Sequence, residues 1–573
     1  MRVELMTAEE HDRMTAYSQG ITHYVGRLFA DLGLQPDYLD DMSQEERAAA
    51  LDTAFDNLWW MVLIELAKND ADGARVSISE LESKAGTANL ADHMRIPIEY
   101  GDRARNATDR PFATVFAKRA YIDAINQRDG EHRLGATAAI IEAPLRAETL
   151  NLDASTKRGD TPPEATTDTT VVAVIDNGIA VGHDLFRRRD NQSGALIRSR
   201  VDFFWNMDAP KDTSAAVPSS MGRVWTREDI EKLLDCYTSN GLLDEAKFYD
   251  ALGLIDWRRG LYSACAQRVS HGTHVAGLAA GYRADEDTGE TRRIIAVQLP
   301  TTVLPDTGGS QLKTPLEQAL LFIATSLDQY KCPATEPGTT KTPPLAINFS
   351  FGNFAGPHDG TGFFERLIDH EMSKMNQHCD GAALMHLPSG NGNLARCHAQ
   401  IALNCATPKQ TLDWHIQPED RSSSSVQAWL PKEAVLNGSL KLTVGAPGSV
   451  NSGSVSAEQN AADLLLTGGG FTLGHLSFRP PKPPTDRGCF VLNVVPTAHP
   501  ANVGPVAPAG AWTLTQQESL QQILSHLLLR LSIGPADQET ADALIQCVKE
   551  AVKTINDNLA FTLEELLAKI EAV

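Results

Sequence analysis

Three short segments of the sequence carry side chains that could do chemistry together, and the first is an aspartate after an apolar run. Residues 171–175 (VVAVI) end at Asp176, which Asn177 and Gly178 follow. A carboxylate at the end of a buried strand is held by fixed backbone and shielded from water, which suits an acid that orients a histidine. Asp-Asn-Gly is also ordinary turn chemistry, so this segment alone favours a turn.

The second segment, residues 270–281 (SHGTHVAGLAAG), places His271 before a run of small residues. Small residues let a helix pack closely on a sheet, and a histidine in its first turn has a fixed orientation suited to a general base. The pair His271 and His274 could instead ligate zinc, but no carboxylate stands between them as in the HExxH pattern. A structural histidine is the simpler alternative, and we predict no metal.

The third segment, residues 387–393 (LPSGNGN), places Asn391 between two glycines after another apolar run. An asparagine on such a loop at a strand end can direct its side-chain amide at a developing oxyanion. The same residues could equally form a plain turn.

The elements that must position these residues have the pattern of a parallel sheet. Apolar runs at 171–175, 294–299, 345–349 and 382–387 mostly end in polar, glycine-bearing loops, and residues 316–327 have helical periodicity. Strands that alternate with helices predict an α/β fold with a parallel sheet. Ligands and chemistry in such sheets lie beyond the carboxyl ends of the strands, where Asp176 and Asn391 fall.

Together, the order Asp, His, Asn on this scaffold resembles the subtilisin-like serine proteases (subtilases, peptidase S8) over roughly residues 169–400. The most specific match is the segment HGTHVAG at 271–277, and DNGI at 176–179 resembles the family's D-[ST]-G-[IV] site. The resemblance implies that His271 is the general base, that Asp176 orients it and that Asn391 stabilises the oxyanion. It also implies a substrate cleft lined by Ser350, Phe351, Gly352, Ser389 and Gly390.

The nucleophile of that family, the serine of a G-T-S-x-A-x-P segment, has no counterpart in the 573 residues. The nearest sequence, GSVSA at 453–457, has Val455 in the nucleophile position. The resemblance predicts a serine endopeptidase that hydrolyses peptide bonds, whereas this chain alone is predicted to be inactive. The serine would belong to a longer product, of which this is the N-terminal part, or to a partner chain of a split protease. The remaining alternative is a pseudo-protease that binds peptides in the same cleft.

The pattern along the chain predicts five regions. An apolar stripe through Leu51, Leu58 and Leu66 predicts a helix in a helical N-terminal domain at 1–108. A mixed segment and linker at 109–168 contains a predicted strand at 138–144. The subtilisin-like core is predicted at 169–406, with a surface insertion at 187–265 that contains a helix near 228–234. A β-sandwich-like module at 407–515 and a helical tail at 516–573 complete the chain.

Composition excludes several classes of function. The formal net charge is −22, so the surface repels phosphate backbones and anionic membranes, and neither nucleic acid nor a membrane is predicted as a partner. The longest apolar run, at 58–64, is too short to span a bilayer, and the N-terminus lacks a secretory signal. Eight cysteines without such a signal predict reduced thiols in the cytoplasm. We expect no cofactor; the expected partner is a peptide or protein substrate.

Overall fold

The computed structural model describes much of the chain between residues 58 and 518. The gaps are 69–72, 127–133, 146–148, 152–162, 164, 190–195, 213–214, 216, 257–260, 263–264, 266–269, 283–290, 302–308, 310, 335–339, 379–381, 404–408, 421–422, 433–434, 436–439, 449, 458–461, 482–484 and 499–505. These described residues form two compact units, one with 58–354 and 362–391 and the other with 355–361 and 392–518. No helix among them is both long and apolar enough to cross a bilayer.

The first unit begins with a four-stranded antiparallel sheet in the order β2-β3-β1-β4. Its strands are β1 (Trp59–Leu66), β2 (Met94–Arg95), β3 (Phe112–Ala117) and β4 (Ala136–Leu145), with helices α1 (Ile78–Thr87), α2 (Asp102–Arg105) and α3 (Arg119–Asn126) between them. The strand predicted at 138–144 is therefore confirmed as part of β4.

The helix predicted through Leu51, Leu58 and Leu66 is wrong over its described part, because residues 59–66 form the strand β1. The strand lies between β3 and β4, so neighbours pair with both of its edges. Seven of its eight residues are buried, which hides the alternation that marks a half-exposed strand. Tryptophan, valine and isoleucine in this run favour strand over helix once both edges are paired. Residues 1–57 lie outside the described part.

The second half of this unit is an α/β core around a six-stranded sheet, in the order β18-β17-β5-β14-β8-β9. The first five strands run parallel, and β9 pairs with β8 antiparallel. The strands of the core are β5 (Thr170–Asp176), β6 (Arg187–Arg189), β7 (Leu196–Ser199), β8 (Val201–Asn206), β9 (Arg223–Thr226), β10 (Thr238–Ser239), β11 (Leu242–Leu243), β12 (Ile255–Asp256), β13 (Leu261–Tyr262), β14 (Arg292–Gln298), β15 (Cys332–Pro333), β16 (Thr340–Lys341), β17 (Leu345–Phe349) and β18 (Ala383–His386).

Helices cover both faces of this sheet. They are α4 (Arg227–Tyr237), α5 (Glu245–Ala251), α6 (His271–Ala280), α7 (Lys313–Leu327) and α8 (Phe363–His378). Alternate residues of β5 point to opposite faces: Ala173 packs in a cluster with α7 and α8, and Val174 packs in a cluster with α4 and α6. The parallel sheet and the four strands predicted for it are confirmed.

The segment 187–265 is not the surface insertion that the sequence predicted, because it contributes β8 and β9 to the central sheet. The expected helix near 228–234 is present as α4. All six residues of β8 are buried, including Asp202. That carboxylate accepts hydrogen bonds from Arg293 Nε (2.8 Å) and from the Tyr330 hydroxyl (2.7 Å). A buried charge paired in this way interrupts an apolar run and conceals the strand from a sequence pattern.

The second unit contains the predicted β-sandwich. Its two antiparallel sheets have the orders β19-β26-β21-β22 and β20-β25-β24-β23. The strands are β19 (Lys409–Ile416), β20 (Ser424–Leu430), β21 (Leu440–Gly445), β22 (Gly453–Ser456), β23 (Ala462–Gly468), β24 (Phe471–Arg479), β25 (Gly488–Val494) and β26 (Gly510–Glu518). Their alternate residues, among them Leu442, Phe490 and Trp512, form one buried core. The helical tail predicted after residue 516 lies outside the described residues beyond 518, and β26 continues to 518.

Candidate active site

The aspartate and the histidine singled out by the sequence meet at the carboxyl end of the central sheet. Asp176 is the last residue of β5, and His271 is the first residue of α6, 95 positions later. Nδ1 of His271 lies 2.8 Å from Oδ1 of Asp176. The carboxylate is fully buried, whereas the imidazole side chain is 60% exposed. One residue therefore anchors the pair inside the protein, and the other presents its ring to solvent.

The helix α6 reaches the sheet closely because its buried stripe is made of small residues. Gly272, Ala276 and Ala280 face the sheet. The backbone N–H of Gly272 donates to the Asn177 carbonyl at 2.9 Å, and a Cβ added to Gly272 would lie only 2.5 Å from that oxygen. A glycine is thus required where the helix begins, directly after the histidine. This close approach sets the distance between His271 and Asp176.

The turn after β5 is held by hydrogen bonds from the start of α6. Gly178 adopts φ +73°, a conformation that favours glycine, and its carbonyl accepts from the Thr273 hydroxyl at 2.7 Å and from the Ser270 hydroxyl. The same Thr273 hydroxyl accepts from the Ala180 N–H at 2.9 Å. These bonds join the loop that carries the carboxylate to the helix that carries the imidazole.

Burial controls the ionisation of Asp176. Removal from water raises the pKa of this carboxyl above its ordinary value, and the hydrogen bonds from His271 and from the Asn177 N–H oppose that rise. The Asn177 N–H donates to the same Oδ1 at 2.7 Å. In the described part of the structure, the other oxygen, Oδ2, is buried without a hydrogen-bond partner. A buried carboxyl in this setting interacts strongly with any positive charge on the neighbouring imidazole.

The predicted cleft strand lies beside this pair. Phe351, just beyond the end of β17, contacts the His271 ring edge-to-face at a centroid distance of 6.3 Å. Ser350 hydrogen-bonds through its hydroxyl to Oδ1 of Asn348 at 2.9 Å. At Gly352 an added Cβ would meet no atom of the described residues within 4 Å, so none of them fills the space beside that backbone. The segment 350–352 thus borders the exposed imidazole.

Asn391 and its neighbours follow β18, at the same edge of the sheet. Because β18, β17 and β5 are adjacent and parallel, the residues after each strand lie at one edge. Ser389, Gly390 and Asn391 are all exposed, and Gly390 has φ +90°. Within the described residues, no hydrogen bond joins Asn391 to the Asp176–His271 pair. The structure therefore brings two of the three predicted residues into contact and places the third two strands away.

The sequence analysis missed one residue of this region, Gln298 at the end of β14. It is 1% exposed, and its amide contacts the turn that follows Asp176. A polar residue that closes an otherwise apolar strand (RRIIAVQ) is the signal that could have identified it.

The predicted absence of a metal has no test in a structure without ligands. Among the described residues, no group of three or more His, Cys, Asp and Glu side chains is arranged to hold a metal ion.

The segment GSVSA lies in and just after β22, where Val455 is buried in the sandwich core.

Comparison with solved structures finds similarity to a bacterial protease. This is the CspB protease of Clostridium perfringens, at 17% identity and a TM-score of 0.39. The match covers 62% of this chain, and the chain spans 60% of the length of that protease. No family model and no curated protein matches the chain. The functional assignment accordingly depends on the chemistry of the site itself.

Proposed function

We propose that the chain is the acid–base part of a serine endopeptidase of the subtilisin-like class. The observation that carries the proposal is the 2.8 Å contact between a fully buried Asp176 and an exposed His271. A carboxylate that accepts from Nδ1 fixes the imidazole tautomer and leaves Nε2 able to take a proton. That is the arrangement a general base needs, and the sequence motifs around both residues resemble the same family.

In the proposed reaction, His271 first accepts a proton and then donates it. Its Nε2 removes the proton from a serine hydroxyl as the serine oxygen attacks the peptide carbonyl. The resulting imidazolium is stabilised by Asp176, and it then gives the proton to the leaving amine as the peptide C–N bond breaks. Water attacks the acyl-enzyme by the same path and releases the carboxyl product. General-base assistance of this kind is worth roughly 10²–10⁴ in rate.

Two further parts of the proposal concern the substrate. The exposed amide of Asn391 would donate to the oxyanion of the tetrahedral intermediate, a contribution of about 10²–10³ in rate for one such donor. The segment 350–352 would pair with an extended peptide as an added strand, with Ser389 and Gly390 on the other side. Such pairing uses the peptide backbone, so it admits many sequences.

The serine is the component that the 573-residue sequence does not show, since no G-T-S segment occurs in it. Residues that act as a unit lose nearly all effect when one is missing, so the chain alone is expected to be inactive. We propose that the serine comes from a segment outside this sequence or from a partner chain. The lack of the motif also favours the alternative function, a pseudo-protease that binds peptides without cleaving them.

A fluorophosphonate probe tests the proposal because it labels only an activated serine. The chain alone should show no label and no cleavage of fluorescent casein. The chain fused at its C-terminus to a segment that carries Gly-Thr-Ser-x-Ala-x-Pro should become labelled at that serine. His271→Ala and Asp176→Ala should each abolish the labelling.

His274→Ala supplies the matched control, since this exposed histidine lies one turn further along the same helix. Its fusion should be labelled like the parent fusion. Label on the chain alone would show that a nucleophile is already present and would contradict the predicted inactivity. Folded fusions that bind an extended peptide but never react would reject the endopeptidase in favour of the pseudo-protease.

A further inference from the structure

Gln298 occupies a position directly beside Asp176 in the central sheet. It is the last residue of β14, and it pairs in parallel register with Asp176 at the end of β5. The next backbone N–H, that of Leu299, donates to the Asp176 carbonyl at 3.0 Å. With 1% of its surface exposed, the side chain of Gln298 is enclosed at the level where the sheet meets the site.

The amide of Gln298 uses both of its ends on the turn that follows Asp176. Its Oε1 accepts from the Gly178 N–H at 2.5 Å and from the Ile179 N–H at 3.4 Å. Its Nε2 donates to Oδ1 of Asn177 at 2.7 Å and to its neighbour's carbonyl, that of Leu299, at 3.1 Å. A buried side chain must match each of these groups, because an unpaired buried donor or acceptor destabilises the fold.

Only a side chain that is both donor and acceptor satisfies this turn. A carboxylate could accept from Gly178 but could not donate to Asn177, and an apolar side chain could do neither. On the opposite side, Thr273 donates to the carbonyl of Gly178. The turn is thus hydrogen-bonded to the sheet through Gln298 and to α6 through Thr273.

We propose that Gln298 is a positioning residue for the Asp176–His271 pair. By fixing residues 177–179, it fixes the direction in which Asp176 presents Oδ1 to Nδ1 of His271. The inference rests on the proposed function for its role in catalysis. Its physical content is a hydrogen-bond geometry, however, which can be measured on the chain without any reaction.

The test is the tautomer of His271, observed by ¹⁵N NMR at alkaline pH on the full chain with labelled histidine. His271→Asn identifies the signal. We expect the Nδ1–H tautomer to dominate in the parent chain. In Gln298→Met the ratio of Nδ1–H to Nε2–H should fall about tenfold, which corresponds to about 1.4 kcal/mol, the worth of one hydrogen bond.

Gln318→Met is the matched control. This glutamine is also fully buried, in α7, but its amide has no hydrogen-bond partner in the described part of the chain. The His271 ratio should therefore stay at the parent value. A Gln298→Met chain that is folded by circular dichroism and keeps the parent ratio would overturn the proposal.

A second variant covers the case in which Gln298→Met does not fold. Asn177→Ala removes a side-chain amide, and with it the oxygen that receives Nε2 of Gln298, on a residue that is partly exposed. A fall in the ratio in the same direction supports the proposal, and an unchanged ratio overturns it. If the ratio changes but the serine fusion never reacts, the positioning role is supported and the endopeptidase is rejected. Failure of the positioning role and failure of the proposed function are therefore distinguishable.

Discussion

Two glycines of the helix α6 allow the geometry of the site to be tested by one pair of substitutions. Alanine in place of glycine inside a helix normally stabilises it by about 0.8–1 kcal/mol. Among the described residues, the Cβ added at Gly277 would meet only Leu185 Cδ1, at 3.3 Å, and that methyl can move. Gly277→Ala should therefore be neutral or stabilise the core by up to about 1 kcal/mol.

At Gly272 the same change should have the opposite sign. The added Cβ would lie 2.5 Å from the Asn177 carbonyl oxygen and 3.0 Å from its carbon, and both are backbone atoms. Carbon–oxygen contacts are normally about 3.3 Å or longer, so the helix and the turn must separate by about 0.8 Å. Overpacking of this kind costs about 1–3 kcal/mol, which exceeds the gain in helix propensity. We expect Gly272→Ala to destabilise the site by about 1–2 kcal/mol.

The two variants should thus differ by about 2 kcal/mol, or about 30-fold in the equilibrium constant of local opening, which sets the amide exchange rate. Amide hydrogen exchange, followed by mass spectrometry on peptides that cover β5 and α6, measures that rate. The separation should also weaken the Asp176–His271 hydrogen bond in Gly272→Ala alone. Equal protection in the two variants, or stronger protection in Gly272→Ala, would refute the argument that the close approach of α6 sets the pair.

Other substitutions test buried charges in the same unit by urea or thermal unfolding. Arg110 is 3% exposed and donates to Glu371 at 2.7 Å, so Arg110→Met should lower the free energy of unfolding by about 3–5 kcal/mol. Lys84→Met, which removes an exposed ion pair with Glu80, should lower it by less than about 1 kcal/mol. Burial raises the pKa of Glu371 from 4.5 to about 7, so the folded state holds the proton more tightly than the unfolded state does. The stability of the folded state should therefore fall as the pH rises from 4.5 to about 7. Glu371→Gln should remove this fall. Because burial also raises the pKa of Asp176, Asp176→Asn should stabilise the chain at neutral pH and less so in acid.

The parallel sheet was predictable because its strands are short apolar runs with clear ends. Residues 345–349 form β17 with the predicted bounds, and β5 and β14 differ from their predicted runs by one or two residues. The strand β1 was not predictable by the same rule. Val62 and Leu66 in β1 continue, at a spacing of four, the apolar stripe that reaches Leu58. Only the pairing with β3 and β4, which is remote in sequence, decides between helix and strand.

The contact between Asp176 and His271 was predictable for a different reason. Asp176 alone favours a turn and His271 alone a structural histidine, whereas the resemblance of the motifs around them to the subtilases predicts that the two side chains meet. The contribution of Gln298 was not visible in this way, since its partners, 177–179, are about 120 residues earlier in the chain. Only the parallel pairing of β14 with β5 brings the amide to the turn.

Asp176 is a buried carboxyl whose Oδ2 has no hydrogen-bond partner among the described residues, which is unfavourable for the fold. The surrounding contacts explain how the chain tolerates it. The amide of Gln298 and the hydroxyl of Thr273 form hydrogen bonds with backbone groups of Gly178, Ile179 and Ala180, so these groups of the turn are paired beside the buried carboxyl. The burial of that carboxyl lowers the stability of the fold, but it holds a fixed charge beside the imidazole. If the turn existed only to end a strand, an asparagine at 176 would serve the fold better. The aspartate at 176 therefore supports the proposed role of His271 as a general base.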